Sequence, residues 1–95
     1  MSQADDYFDQ GMCLRDYDSS EDLELPEGAV WAVWDEDHRW GELRVIRFSD
    51  GSCLGEIWDA YAEYQIAFVA GPSVEVVVEA LEVEACSAYD EQNDK

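Results

Sequence analysis

Residues 42–58, with the sequence ELRVIRFSDGSCLGEIW, decide the fold. Two runs rich in aliphatic and aromatic side chains, residues 42–48 and 53–58, flank a Ser-Asp-Gly-Ser tetrapeptide. The Asp-Gly pair supplies the positive-φ position that a tight chain reversal needs, and Val, Ile, Phe and Trp favour a pleated, partly buried surface. The segment therefore predicts a β-hairpin, which provides the second and third strands of a sheet.

One strand before the hairpin and one strand after it complete the predicted sheet. Residues 29–34 consist of Ala, Val and Trp and are apolar on both faces, which indicates a central or well-covered strand. A polar connection, residues 35–41, separates this strand from the hairpin. After the hairpin, residues 59–62 predict a weaker turn and residues 63–70 predict a fourth strand.

The C-terminal third of the chain predicts a helix over residues 74–88. Gly71 and Pro72 interrupt the strand pattern, and the Ser73 hydroxyl can accept a hydrogen bond from the first backbone amides of that helix. Apolar side chains recur there with a period of about 3.6 residues, at Val74, Val77, Val78, Leu81 and Ala85. A strand is the alternative because Val is β-branched, but strict alternation fails at residues 76–78.

The sequence thus predicts an α+β fold, a small antiparallel sheet of about four strands with a C-terminal helix packed on one face. We expect residues 89–95 to be frayed.

The 95 residues contain 24 Asp and Glu against five Lys and Arg, which gives a net charge of −19. Residues 1–27 hold nine of these acidic residues and show neither a helix nor a strand period. We therefore expect residues 1–27 to form an acidic N-terminal arm, mobile or loosely docked, and residues 28–95 to form a single α+β domain.

This charge excludes several classes of direct ligand. Nucleic acids and anionic membrane surfaces would repel the protein, so the expected partner is a basic protein surface. The start of the chain carries Asp5, Asp6 and Asp9 instead of the basic and apolar regions of a signal peptide, which predicts a cytoplasmic protein. No stretch approaches the ~20 apolar residues of a transmembrane helix.

No motif specifies catalysis, a metal or a cofactor. His38 is the only histidine, and Asp35 and Asp37 beside it have no second cluster to complete a metal shell. The three cysteines are odd in number and include no CxxC pair, which indicates reduced thiols. We expect a protein that is not an enzyme and holds no cofactor.

Residues 16–27 partly match a calcium-binding EF-hand loop. Oxygen-bearing side chains stand at its first, third, fifth and twelfth positions, Asp16, Asp18, Ser20 and Glu27. Glu21, however, occupies the position where the loop needs Gly for its sharp turn, and no amphipathic helix flanks either side. We interpret the segment as a solvated acidic arm, with calcium binding as the alternative.

The predicted helix presents a row of acidic residues that could contact a basic partner. Glu75, Glu79 and Glu82 share the face opposite the apolar one, spaced ~6 and ~4.5 Å apart along the helix axis. Carboxylates at this spacing could form ion pairs with consecutive Lys or Arg side chains of a site that binds phosphates.

The arm and one tryptophan supply further candidate contacts with the same partner. Asp16, Asp18 and Asp22 add carboxylates from the arm. Trp40, beside Arg39 in the connection, is either a core residue or an exposed aromatic anchor for the partner. As an anchor it would slow the release of the partner once it is desolvated.

In size and charge the chain resembles the small acidic proteins that phages use as DNA mimics, among them anti-CRISPR and anti-restriction proteins. The resemblance implies an inhibitor that binds stoichiometrically to the basic nucleic-acid-binding surface of its target, in the host cytoplasm. One alternative is adaptation to a salt-loving organism, although the nearly neutral residues 28–48 argue against the even spread of acid that this adaptation requires. Another alternative is an acidic accessory domain of a complex, with no inhibitory role.

Overall fold

A computed structural model describes residues 2–11, 14, 25–26, 28–59 and 64–93 of the chain. These residues form α1 (Gln3–Asp9), β1 (Val30–His38), β2 (Gly41–Arg47), β3 (Cys53–Trp58), β4 (Gln65–Gly71) and α2 (Val74–Asn93). The strands make one antiparallel sheet in the order β1-β2-β3-β4, and α2 packs mainly on β3 and β4. The predicted α+β fold, with a four-stranded antiparallel sheet and a C-terminal helix on it, is confirmed.

The turn between β2 and β3 lies where the sequence predicts it. The Phe48 N–H donates to the Ser52 carbonyl at 2.8 Å, and the Gly51 N–H donates to the Phe48 carbonyl at 2.9 Å. Gly51 has a φ of 89°, a left-handed conformation that glycine adopts without strain. This turn sets the register of the two strands, in which Arg44 lies opposite Glu56.

α2 covers one face of the sheet over the first of two hydrophobic clusters. The buried members of this cluster are Leu43, Val45, Cys53, Ile57, Ala67, Val77, Leu81 and Ala85. Gly55 lies on β3 beneath the helix, where a Cβ atom would be only 2.7 Å from Val77 Cγ1 and 2.8 Å from Leu81 Cδ1. Since the interior is close-packed, the missing side chain of Gly55 is what lets α2 lie this close to the sheet.

α1 covers the opposite face of the sheet over a second hydrophobic cluster. Its buried members are Ala4, Leu14, Leu25, Ala29, Ile46, Phe48 and Leu54. The Tyr7 ring stacks on Phe48 and the Phe8 ring stacks on Phe68, with ring centroids 5.0 and 4.8 Å apart. The sequence pattern does not predict this helix, because seven residues are too few to establish a helical period.

Polar contacts fix the start of α1 to the turn between β2 and β3. The Asp50 carboxylate accepts the Gln3 N–H at 2.8 Å, and the Ser52 hydroxyl accepts the Ala4 N–H at 3.0 Å. In return, Gln3 Oε1 accepts the Ser49 hydroxyl at 2.9 Å and the Asp50 N–H at 3.1 Å. The first amides of a helix have no partner inside the helix, so the turn satisfies donors that would otherwise need water.

Two predicted boundaries are wrong. The connection expected over residues 35–41 is largely strand, because β1 continues to His38 and β2 begins at Gly41. The expectation that this strand is central or well covered is also wrong, because β1 is the edge strand of the described sheet and none of its side chains is fully buried. β1 pairs with β2 through backbone groups, so its acidic side chains can project into solvent without interrupting the pairing. The fraying expected from residue 89 is also wrong up to Asn93, where α2 ends, because no Gly or Pro interrupts the helix before that point.

The division of the chain at residue 27 stays a prediction. Of the expected arm, the structure describes residues 2–11, 14 and 25–26. Ala4, Leu14 and Leu25 among them are buried in the second cluster. The described part of the segment therefore contributes apolar side chains to the interior as well as acidic ones to the surface.

The docking of α1 should depend on the charge of Asp50. Hydrogen bonds from the Ser52 hydroxyl and then from the Gln3 and Ser52 amides hold the pKa of Asp50 below its usual value of 3.8. A lowered carboxyl pKa gives a stabilisation that is fully present above the usual pKa and is lost as pH falls through the lowered pKa. At neutral pH we expect Asp50→Asn to accelerate amide hydrogen exchange at Gln3 and Ala4, measured by NMR.

Acidification provides the internal check on this prediction. Below the lowered pKa of Asp50, the protection of the Gln3 and Ala4 amides should become the same in the parent protein and in Asp50→Asn. Asp37→Asn, at an exposed position on β1, is the matched control and should leave this protection unchanged. Equal protection in the parent and in Asp50→Asn at pH 7 would contradict the role of the charge.

Candidate functional site

The predicted acidic row lines a groove on the surface of α2. The groove has a volume of about 440 Å³ and is lined by Val74, Glu75, Val78, Glu79 and Glu82. All three glutamates that the sequence analysis selected on the helix are therefore brought together in one place, and each of them is exposed.

The groove has an apolar floor and an acidic rim. Val74 and Val78 are one helical turn apart, half-buried and packed against the first hydrophobic cluster. Glu75 and Glu79 are also one turn apart, ~6 Å along the axis, and Glu82 follows ~4.5 Å further on. The glutamates thus flank the apolar face of α2, whereas the sequence analysis placed them opposite it.

The start of α2 follows the predicted capping pattern. The Ser73 hydroxyl accepts the Val76 N–H at 3.3 Å, and the Ser73 carbonyl accepts the Val77 N–H at 3.1 Å. Glu75 lies in the first turn, where a negative charge is favoured by the helix dipole. Because α2 contains no Lys, Arg or His, the helix itself supplies no positive charge to neutralise the groove.

The other predicted contact residues are not part of the described groove. Trp40 lies in the turn between β1 and β2, half-buried and packed against the first hydrophobic cluster. The Arg39 guanidinium lies 4.6 Å from the centroid of its ring, a cation–π contact. Its role as an anchor stays a prediction. The arm residues Asp16, Asp18 and Asp22 lie outside the described residues, as does most of the calcium-loop match.

A second polar cluster, which the sequence analysis did not predict, is buried in the sheet. Arg44 and Glu56 lie opposite each other on β2 and β3 and are 5% and 0% exposed. Arg44 Nη2 donates to Glu42 Oε1 at 3.3 Å, and the guanidinium lies 4.6 Å from the centroid of the Trp34 ring. Gln65 Nε2 donates to Glu56 Oε2 at 2.9 Å.

This cluster lies on the face of the sheet that α1 covers. Arg44 is two residues from Ile46 and Glu56 is two residues from Leu54, and both neighbours belong to the second hydrophobic cluster. Among the described residues, the Nε and Nη1 groups of Arg44 are buried and have no hydrogen-bond partner. The ion pair with Glu42 and the face of the Trp34 ring therefore compensate the charge of the guanidinium inside the protein.

The Cys53 thiol lies on β3, buried in the first hydrophobic cluster. Burial raises the pKa of the Cys53 thiol, although Arg47 opposes this effect, so the thiol is protonated at neutral pH and is a weak nucleophile. Within the described parts of the chain, no three His, Cys, Asp or Glu residues are grouped so that they could hold a metal ion. Neither helix of those parts combines the length and apolarity needed to cross a bilayer.

The ion pair of Arg44 with Glu42 predicts an asymmetric response to substitution. Glu42→Leu leaves the buried Arg44 guanidinium without its ion-pair partner, so we expect the free energy of unfolding to fall by about 3 kcal/mol. Glu42→Leu combined with Arg44→Leu removes both charges and should recover most of that loss. Urea unfolding followed by Trp fluorescence measures both variants.

The matched control is Arg47→Leu, because Arg47 lies on the same strand but is exposed. We expect it to change the free energy of unfolding by no more than about 0.5 kcal/mol. Equal losses from Glu42→Leu and Arg47→Leu, or a double variant less stable than Glu42→Leu alone, would contradict a stabilising ion pair at Arg44.

Comparison with protein-family models, with curated proteins and with solved structures finds no match for this chain.

Proposed function

We propose that this protein binds the basic nucleic-acid-binding surface of a partner protein and blocks it stoichiometrically, as a DNA mimic does. The proposal rests on one observation: Glu75, Glu79 and Glu82 line a single groove on a helix without basic residues, in a chain of net charge −19. A cleft that binds phosphates presents rows of Lys and Arg, and a row of exposed carboxylates complements such a cleft.

The long-range field of the protein supports the same partner. A strongly negative surface is steered towards a basic cleft and raises the association rate, with an effect that weakens as salt increases. Arg44, one of five basic residues in the chain, is buried in the sheet and offers no exposed cation to offset the acid. We infer an inhibitory binding protein, not an enzyme, that acts in the cytoplasm.

The competing explanation is that the acid reflects a saline environment or an accessory role. The two hydrophobic clusters consist of apolar side chains, and the free energy of burying them does not depend on surface charge. We therefore expect the protein to fold in dilute buffer. Circular dichroism and Trp fluorescence should therefore be the same in dilute buffer and in molar salt. Folding only in molar salt would assign the charge to the environment and remove the main support for mimicry.

The proposed contact face can be tested by neutralising the acidic row. The triple variant Glu75→Gln, Glu79→Gln and Glu82→Gln should keep the fold, because all three side chains are exposed. In a panel of purified basic DNA-binding proteins, we expect the parent protein to displace labelled duplex DNA from at least one member near equimolar ratio. The triple variant should need about tenfold more protein for the same displacement, measured by fluorescence anisotropy.

A second triple variant separates the position of the charge from its amount. Asp6→Asn, Asp9→Asn and Asp37→Asn removes the same number of charges from exposed positions outside α2. We expect this control to displace DNA nearly as well as the parent protein. Equal loss in the two variants would mean that only total charge matters, and failure of the parent to displace DNA from any member would contradict the proposed function.

A further inference from the structure

We propose that the segment of the partner seated in the α2 groove is a basic amphipathic helix. This inference rests on the proposed function and specifies the partner further. The helix would place aliphatic side chains on Val74 and Val78 and Lys or Arg side chains beside Glu75, Glu79 and Glu82.

The apolar floor of the groove carries the inference. Carboxylates alone would complement a purely phosphate-binding cleft, but Val74 and Val78 are half-buried along the same groove and leave apolar area open beside the acidic rim. An occupant that covers this floor gains binding free energy from apolar burial. Only a segment with both aliphatic and cationic side chains can pack on the valines and also pair with the glutamates.

The spacing of the groove residues favours a helical occupant. Val74 and Val78 are one turn apart, ~6 Å along the axis, and the same spacing separates Glu75 from Glu79. A helix in a groove presents anchors at i and i+4 with that repeat, and its flanking positions carry charges at the same repeat.

Charge complementarity excludes a second copy of this chain as the occupant. Two α2 grooves brought face to face would place six glutamates, Glu75, Glu79 and Glu82 of each copy, against one another without a basic residue on either helix. Such an interface is destabilised by like-charge repulsion, whereas a basic helix neutralises the rim.

Val76 and Val83 provide internal controls for this surface. They are 47% and 63% exposed, more open to solvent than the half-buried valines of the groove, yet they are not among the residues that line it. If apolar exposure on α2 were enough for binding, these two valines would contribute as much as Val74 and Val78.

The probe is a pair of synthetic basic helical peptides that carry the same Arg residues. One peptide has Leu residues one helical turn apart between the Arg residues, and the other has Gln in their place, which has a similar helix propensity. We expect the parent protein to bind the Leu peptide about tenfold more tightly than the Gln peptide, measured by isothermal titration calorimetry.

Substitutions in the protein then locate the apolar contact. Val78→Thr keeps the side-chain shape and should remove most of the preference for the Leu peptide, while Val83→Thr should leave the preference intact. Circular dichroism verifies the fold of each variant, and Val74→Thr replaces Val78→Thr if the latter unfolds. The comparison of the two peptides on the parent protein needs no variant at all.

The outcomes separate this inference from the proposed function. If both peptides bind equally and both are weakened in the Glu75→Gln, Glu79→Gln and Glu82→Gln variant, the amphipathic helix is overturned and the basic partner stands. If the preference for Leu survives Val78→Thr and Val74→Thr, the apolar contact lies outside the groove and the inference also fails. If neither peptide binds, or if the triple variant binds the peptides as tightly as the parent protein, the α2 groove does not take a basic amphipathic helix and the inference fails. The proposed function is then decided separately, by the displacement of duplex DNA.

Discussion

The side chains of Val77 and Leu81 lie so close to Gly55 that no Cβ atom fits at that position of β3. This contact sets the distance of α2 from the sheet and its rotation about its own axis. With Val77, Leu81 and Ala85 held in the interior, Val74 can be only partly covered. The groove on α2 is thus a consequence of the packing at one glycine.

The two faces of the sheet differ in whether their charged side chains are exposed or buried. On the α2 face, the acidic side chains are exposed and the interior is apolar, so the charge can be varied with little effect on packing. On the α1 face, Arg44 and Glu56 are buried, and Arg44 keeps its ion pair with Glu42 in a medium that solvates charge poorly. Stability therefore depends on charges that no partner can reach, whereas the proposed binding would use charges that the fold does not need.

The parts of the structure that the sequence predicts are those with local signals. The turn at Asp50 and Gly51 and the Ser73 cap each act within a few residues, and the structure confirms both. α1 and the extension of β1 to His38 escaped prediction because they depend on contacts with distant strands.

In the candidate site, too, only the features with a local sequence signal could be predicted. The glutamate row is visible in the helical period, whereas the valine floor is not, because Val74 and Val78 have the pattern of ordinary core residues. The position of Arg44 opposite Glu56 on the neighbouring strand could have been found, since the predicted turn at residues 49–52 already sets positions 44 and 56 opposite each other. Their burial could not, because it depends on what covers that face of the sheet.

The docking of α1 on the β2–β3 turn also orders events during synthesis. Gln3 bonds to Asp50, 47 positions later in the chain, and a helix of seven residues is not stable by itself in water. A ribosome that adds about 5–20 residues per second needs roughly 2 to 9 seconds to make that interval. Residues 3–9 therefore leave the ribosome before their receptor exists, and the first helix in the sequence is among the last elements to be locked in place.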